Sequence, residues 1–118
     1  MSQRNFYRLR FPPSAALKLQ TNQGEYRVCE LAERGMRIAC DESCNLKIGQ
    51  LLSGSLHLHD GSTITVRGLA QRKDHSELVV TQLEGIELEK MMQEQRFVIQ
   101  NFPAVRLPVD SSTPLSTN

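Results

Sequence analysis

"EYRVCELAERGMRIAC", residues 25–40, decides the fold. Tyr26 and Val28 alternate with Arg27 and Cys29, and Met36, Ile38 and Cys40 alternate with Arg37 and Ala39. A period of two marks a strand with one face buried. Between the two runs lies "AERG", residues 32–35, a turn that closes on Gly35. Further along, "GSLHLHDGSTITVRG", residues 54–68, reads as a second hairpin, with Leu56 and Leu58 before the turn and Ile64 and Val66 after it. Asp60-Gly61 supplies residues that accept the positive φ angles of a tight turn. "SAALKLQ" (14–20) and "SELVVTQL" (76–83) supply further strands, about six in all.

From Gly85 the period changes. Leu88, Met91, Met92, Val98 and Ile99 fall at helical spacings with Glu87, Lys90, Glu94 and Arg96 between them, which predicts one amphipathic helix packed on or beside the sheet. Phe102-Pro103 ends it. The expected fold is mostly β: a six-stranded antiparallel β-barrel followed by a C-terminal α-helix. Three segments are expected: a flexible N-terminal arm over 1–13, the barrel and helix over 14–102, and a disordered tail over 103–118, where Ser, Thr, Pro and Asn offer little to bury. At 118 residues, 39% hydrophobic and 23% charged, the chain suits one small domain. No run approaches the roughly 18 apolar residues of a membrane helix, and the N-terminus lacks a signal-peptide core, so a cytoplasmic location and reduced thiols are expected.

The formal net charge of +1 hides an asymmetry. Residues 1–24 carry Arg4, Arg8, Arg10 and Lys18 and no acid, whereas the segment from Glu84 to Glu94 carries Glu84, Glu87, Glu89 and Glu94 against the single base Lys90. A protein that tracks a nucleic-acid polymer spreads basic residues over a whole face and reaches a high isoelectric point, unlike the value near 7.8 here. A local positive field fits a small anion better. In "RNFYRLR", residues 4–10, Arg4 and Arg8 form R-x-x-x-R just upstream of Pro12-Pro13, which disfavour helix before them and set the arm apart from the first strand. Guanidinium is planar, permanently charged and forked, so it grips phosphate through paired hydrogen bonds, reads guanine, or stacks on a purine. Standing alone, such a pair is equally a solvated basic terminus.

The combination of these features resembles the PilZ domain, a bacterial receptor domain for the second messenger cyclic di-GMP. R-x-x-x-R heads a six-stranded barrel in that family, and a turn of the form D/N-x-S-x-x-G follows some way on; here "QRNFYRLRF" and "ELAERG" occupy those places, within a likeness spanning about residues 2–102. The resemblance implies that Arg4 and Arg8 hold phosphates and guanine faces, that the positions of Glu30 and Ala32 contact guanine N–H groups and a phosphate, and that Gly35 leaves room. Asn5, Arg34 and Arg37 are possible additional contacts; Arg37 lies on the same side of its strand as Gly35. Gly35 matches the family pattern and two positions depart from it, Glu30 for Asp or Asn and Ala32 for Ser. Glutamate moves the carboxylate outward by about 1.5 Å, and alanine forfeits a hydrogen bond to a charged group, about 1.5–3 kcal/mol or roughly ten- to a hundredfold in affinity.

The reading is therefore a cyclic di-GMP receptor of reduced affinity that orders its arm on binding and signals to an unidentified partner protein. The alternative is a degenerate PilZ domain that has lost the ligand and acts as a protein-interaction adaptor, as in pilus or motility machinery. A barrel for single-stranded nucleic acid is opposed by the 5% aromatic content. Cys40-x-x-x-Cys44 with His57 and His59 has the donor types of a zinc site but matches no zinc spacing. His59, Asp60 and Ser62 share a turn without a nucleophile elbow or an orienting third group, so no catalytic residue, metal or cofactor is expected and the protein is not read as an enzyme. Whether two chains pair through the Met91-Met92 helix stays open.

Overall fold

A computed structural model describes residues 8–102. The chain runs β1 (Arg8–Arg10), a short 3-10 turn (Pro13–Ala15), β2 (Leu17–Thr21), β3 (Gly24–Ala32), β4 (Gly35–Ala39), β5 (Leu51–His57), β6 (Thr63–Asp74), β7 (Glu77–Glu84) and α1 (Leu88–Asn101). Six strands close a barrel in the order β3-β2-β5-β6-β7-β4, because β3 pairs with β4 as well as with β2. All pairings are antiparallel. The barrel and its C-terminal helix are as the periodicity predicts. A seventh strand, β1, was not.

Three of the residues assigned to a flexible arm are thus part of the sheet. β1 lies beside the C-terminal half of β3, with Arg8 opposite Ala32, Leu9 opposite Leu31 and Arg10 opposite Glu30. Leu9 is buried between two exposed arginines, which is the alternation that docks it. Pro12-Pro13 then turn the chain into β2, so the prolines separate two paired strands. The expected 14–20 strand accordingly starts later, at Leu17. Residues 1–7 and 103–118, including Arg4, Asn5 and the proposed tail, lie outside the described residues.

An irregularity in β3 decides where its charges go. Val28 stands opposite Ile38 but Glu30 stands opposite Arg37, so Cys29 is one residue too many and forms a bulge. Strict alternation from the buried Val28 would send Glu30 into the barrel; the bulge turns Leu31 inward and Glu30 outward. The freed Cys29 carbonyl accepts from the Phe11 N–H at 2.9 Å, which anchors the chain just after β1.

The barrel interior is aliphatic: Leu19, Val28, Ile38, Leu56, Leu78 and Val80 are all at most 1% exposed. Helix α1 buries Met91, Glu94 and Val98 and leaves Leu88, Met92 and Ile99 exposed, so its buried stripe is narrower than the sequence pattern implied. Met91 faces the barrel, and Met92 remains as the outward methionine. Cys40 and Cys44 are joined by a disulfide and Cys29 is free, which corrects the expectation of three reduced thiols. Cys40 ends at a buried position next to β4 and Cys44 lies one short loop away, so the fold itself brings the sulfurs together. None of the described helices is long and apolar enough to cross a membrane.

Candidate anion-binding site

Five strands bring a set of charges onto one outer face. The cross-strand row Arg8–Ala32–Gly35 runs over β1, β3 and β4, and the next row is Arg10–Glu30–Arg37. Residues directly opposite across an antiparallel pair share a face, so the guanidinium groups of β1 stand beside the β3–β4 corner. β7 continues the surface, with Glu77 opposite Ala39 of β4 and Asp74 at the adjacent end of β6.

The charges interlock. Arg10 makes a bidentate contact with Glu77, one hydrogen bond at 3.0 Å and a second, shorter one. Arg37 donates to Asp74 at 2.9 Å and lies 3.6 Å from Glu77. Glu30 sits among three cations, 3.6 Å from Arg8 Nε, 3.6 Å from Arg10 Nη1 and 3.9 Å from Arg37 Nε, with its side chain 16% exposed. Planar forks bound to carboxylates give strong charge-assisted pairs. The Arg10 hydrogen bonds hold the Glu77 carboxyl below its ordinary range, and the Arg37 hydrogen bond does the same for Asp74. Both arginines are in turn held more firmly protonated, Arg10 chiefly by Glu77 and Arg37 chiefly by Asp74. Burial pushes the Cys29 thiol up, so it is a poor nucleophile here.

Of the residues singled out from sequence, the structure thus gathers Arg8, Glu30, Ala32, Gly35 and Arg37 on one face. Arg34 is exposed at the turn, where its carbonyl accepts from the Leu83 N–H at 3.1 Å. Gly35 has a packing reason for lacking a side chain: a Cβ there would lie 2.9 Å from the Val80 carbonyl oxygen. Sequence reasoning missed Arg10, Asp74 and Glu77. Arg10 was within reach, since the two-residue period that turns Arg8 outward turns Arg10 the same way.

A second polar cluster joins the helix to the barrel. Glu94 is 1% exposed, accepts from the His59 backbone N–H at 2.9 Å and also bonds the His59 ring through Nδ1. The imidazole stacks on Phe97 at 4.1 Å, and the Phe11 ring lies 5.8 Å from it. Next to it, Asp60 accepts from Ser62 N–H at 2.9 Å, from Ser62 Oγ at 2.6 Å and from the Gln93 amide. Those bonds, Ser62 Oγ foremost, hold the Asp60 carboxyl well below the usual range. The His59, Asp60 and Ser62 trio considered as a catalytic set is therefore divided, with His59 committed to Glu94 and Ser62 to Asp60. Cys40 and Cys44, being bonded to each other, offer no thiolate to a metal, and among the described residues no group of three His, Cys, Asp or Glu is placed to hold one. No protein-family model matches the chain, and no characterised protein matches it in sequence.

Proposed function

We propose that the protein is a non-enzymatic receptor for a cyclic dinucleotide of the cyclic di-GMP type, acting in the cytoplasm and relaying occupancy to a partner protein. The observation that carries this reading is the register of β1: Arg8 opposite Ala32, and Ala32 opposite Gly35, stand the guanidinium groups next to the glycine corner. A phosphate at that corner would meet Arg8 and Arg10 from one side and Arg37 from the other. Arg4 and Asn5, which the resemblance adds to the site, would contact the same ligand, and occupancy would change the surface offered to the partner. Affinity is reduced because Ala32 provides no hydroxyl and Glu30 brings a negative charge to the site.

Isothermal titration with cyclic di-GMP and with its linear counterpart tests the reading. Binding should be measurable, should be abolished by Arg8→Ala and should be strengthened by Ala32→Ser. The absence of heat above dilution at high micromolar ligand favours a second reading, a barrel that no longer binds nucleotide and serves as a protein-interaction adaptor. The mutual neutralisation of Arg8, Arg10 and Arg37 by Glu30, Glu77 and Asp74 is the observation on that side.

A further inference from the structure

The three carboxylates of the ionic face are held differently. Glu77 receives the Arg10 fork and Asp74 receives an Arg37 N–H, both through hydrogen bonds. Glu30 stands between Arg8, Arg10 and Arg37 at 3.6–3.9 Å, beyond hydrogen-bond reach of each, and accepts no side-chain hydrogen bond among the described residues. Its position is fixed by the β3 bulge and by attraction to three cations at once. Removing it would leave three guanidinium groups facing two carboxylates. Such a carboxylate is easily exchanged for an anion that offers more oxygens, because exchange breaks no side-chain hydrogen bond among the described residues while a phosphate group can form several with forked donors.

Resting on the receptor reading above, we propose that Glu30 is a built-in competitor: its carboxylate fills the place among Arg8, Arg10 and Arg37 that a ligand phosphate takes, and binding proceeds by its displacement. Arg10 and Arg37, outside the R-x-x-x-R pair, are then phosphate contacts. The competitor sets a threshold. Only a ligand at sufficient concentration, or with more than one phosphate oxygen in reach, displaces it, so the unliganded face stays neutral and does not collect stray anions.

The test is titration calorimetry on the full chain, wild type and Glu30→Gln, with two probes, cyclic di-GMP and inorganic pyrophosphate. Glutamine preserves shape and removes the charge, so both probes should bind about tenfold more tightly, in line with loss of one like-charge contact that water and salt largely screen. If wild type binds cyclic di-GMP and Glu30→Gln binds it equally or more weakly, the competitor idea is overturned while the receptor reading stands. If Glu30→Gln gains affinity for pyrophosphate and neither protein binds cyclic di-GMP, the competitor idea is upheld and the nucleotide reading fails. No binding of either probe to either protein overturns both. Carbon-13 NMR of the glutamate carboxyls of the wild-type protein follows the same event without a substitution: pyrophosphate should shift the Glu30 Cδ signal and leave that of Glu77 in place, and an unmoved Glu30 signal at saturation overturns the proposal.

Discussion

Replacing Glu94 with alanine should loosen the helix from the barrel. Glu94 is almost wholly buried on the inner stripe of α1 between Met91 and Val98, and its two oxygens serve the backbone N–H and the ring of His59. Glu94→Ala leaves both groups without their partner beneath the helix and opens a void where the side chain stood. Leaving two donors without their acceptor costs about 1–3 kcal/mol each, here about 3–5 kcal/mol together, out of the roughly 5–15 kcal/mol that holds a small domain together. At about 4 °C per kcal/mol for a domain near this size, the melting temperature should fall by about 12–20 °C. Glu94→Gln keeps an oxygen for the His59 N–H and sets an amide beside Nδ1, so its cost should be about 1–2 kcal/mol. Circular dichroism melts of the two variants, with His59→Ala and the double mutant completing a cycle, separate the pair from simple loss of packing. Equal melting temperatures for Glu94→Ala and Glu94→Gln, or a Glu94→Ala protein within about 4 °C of wild type, would refute the reasoning.

Gly35→Ala should destabilise the β4–β7 seam by about 1–3 kcal/mol, because its Cβ would crowd the Val80 carbonyl and one of the strands must give way; urea unfolding measures this, and an unchanged midpoint with unchanged slope would show that the seam has slack. The ionic face should be acid-labile. Glu77 and Asp74 have folded pKa values below their unfolded ones, so their contribution is complete above the ordinary carboxylate range, near pH 4, and is lost as pH falls through the folded values. Melting temperature should therefore drop from pH 5 to pH 3 more steeply in wild type than in a Glu77→Gln protein. The Cys40–Cys44 link closes a loop with a sequence separation of only 4, so chain entropy assigns it about 2 kcal/mol. Cys44→Ser should lower stability by about that amount, and intact-mass measurement of the oxidised wild type should show one thiol available for alkylation after unfolding.

The barrel was legible in the sequence because its strands each bury one face, which forces the two-residue alternation in residues 26–29, 36–40 and 56–66, and because Asp60-Gly61 marks the turn between β5 and β6. The helix was legible for the same reason at its own period. β1 was not, because a three-residue strand holding one buried leucine carries no periodic signal, and its docking depends on β3 extending beyond the end of β2. Glu94 was read as part of the polar side of α1. Its phase with Met91 and Val98 was the available clue, since a carboxylate on an inner stripe needs a partner. Glu77 could not be joined to Arg10 by any local pattern, lying 67 residues away and meeting it only once the barrel has closed.

The bulge at Cys29 sets the parity of β3 at a point where the sequence looks unremarkable. Straightened with Cys29 in place, the strand would press Glu30 against the aliphatic interior and present Leu31 to the arginines; with Cys29 deleted, plain alternation would keep Glu30 outward and Leu31 inward, and the carbonyl that holds the Phe11 N–H would be lost. Homologues should therefore tolerate many side chains at position 29, and one that lacks the residue should keep the ionic face while holding β1 more weakly.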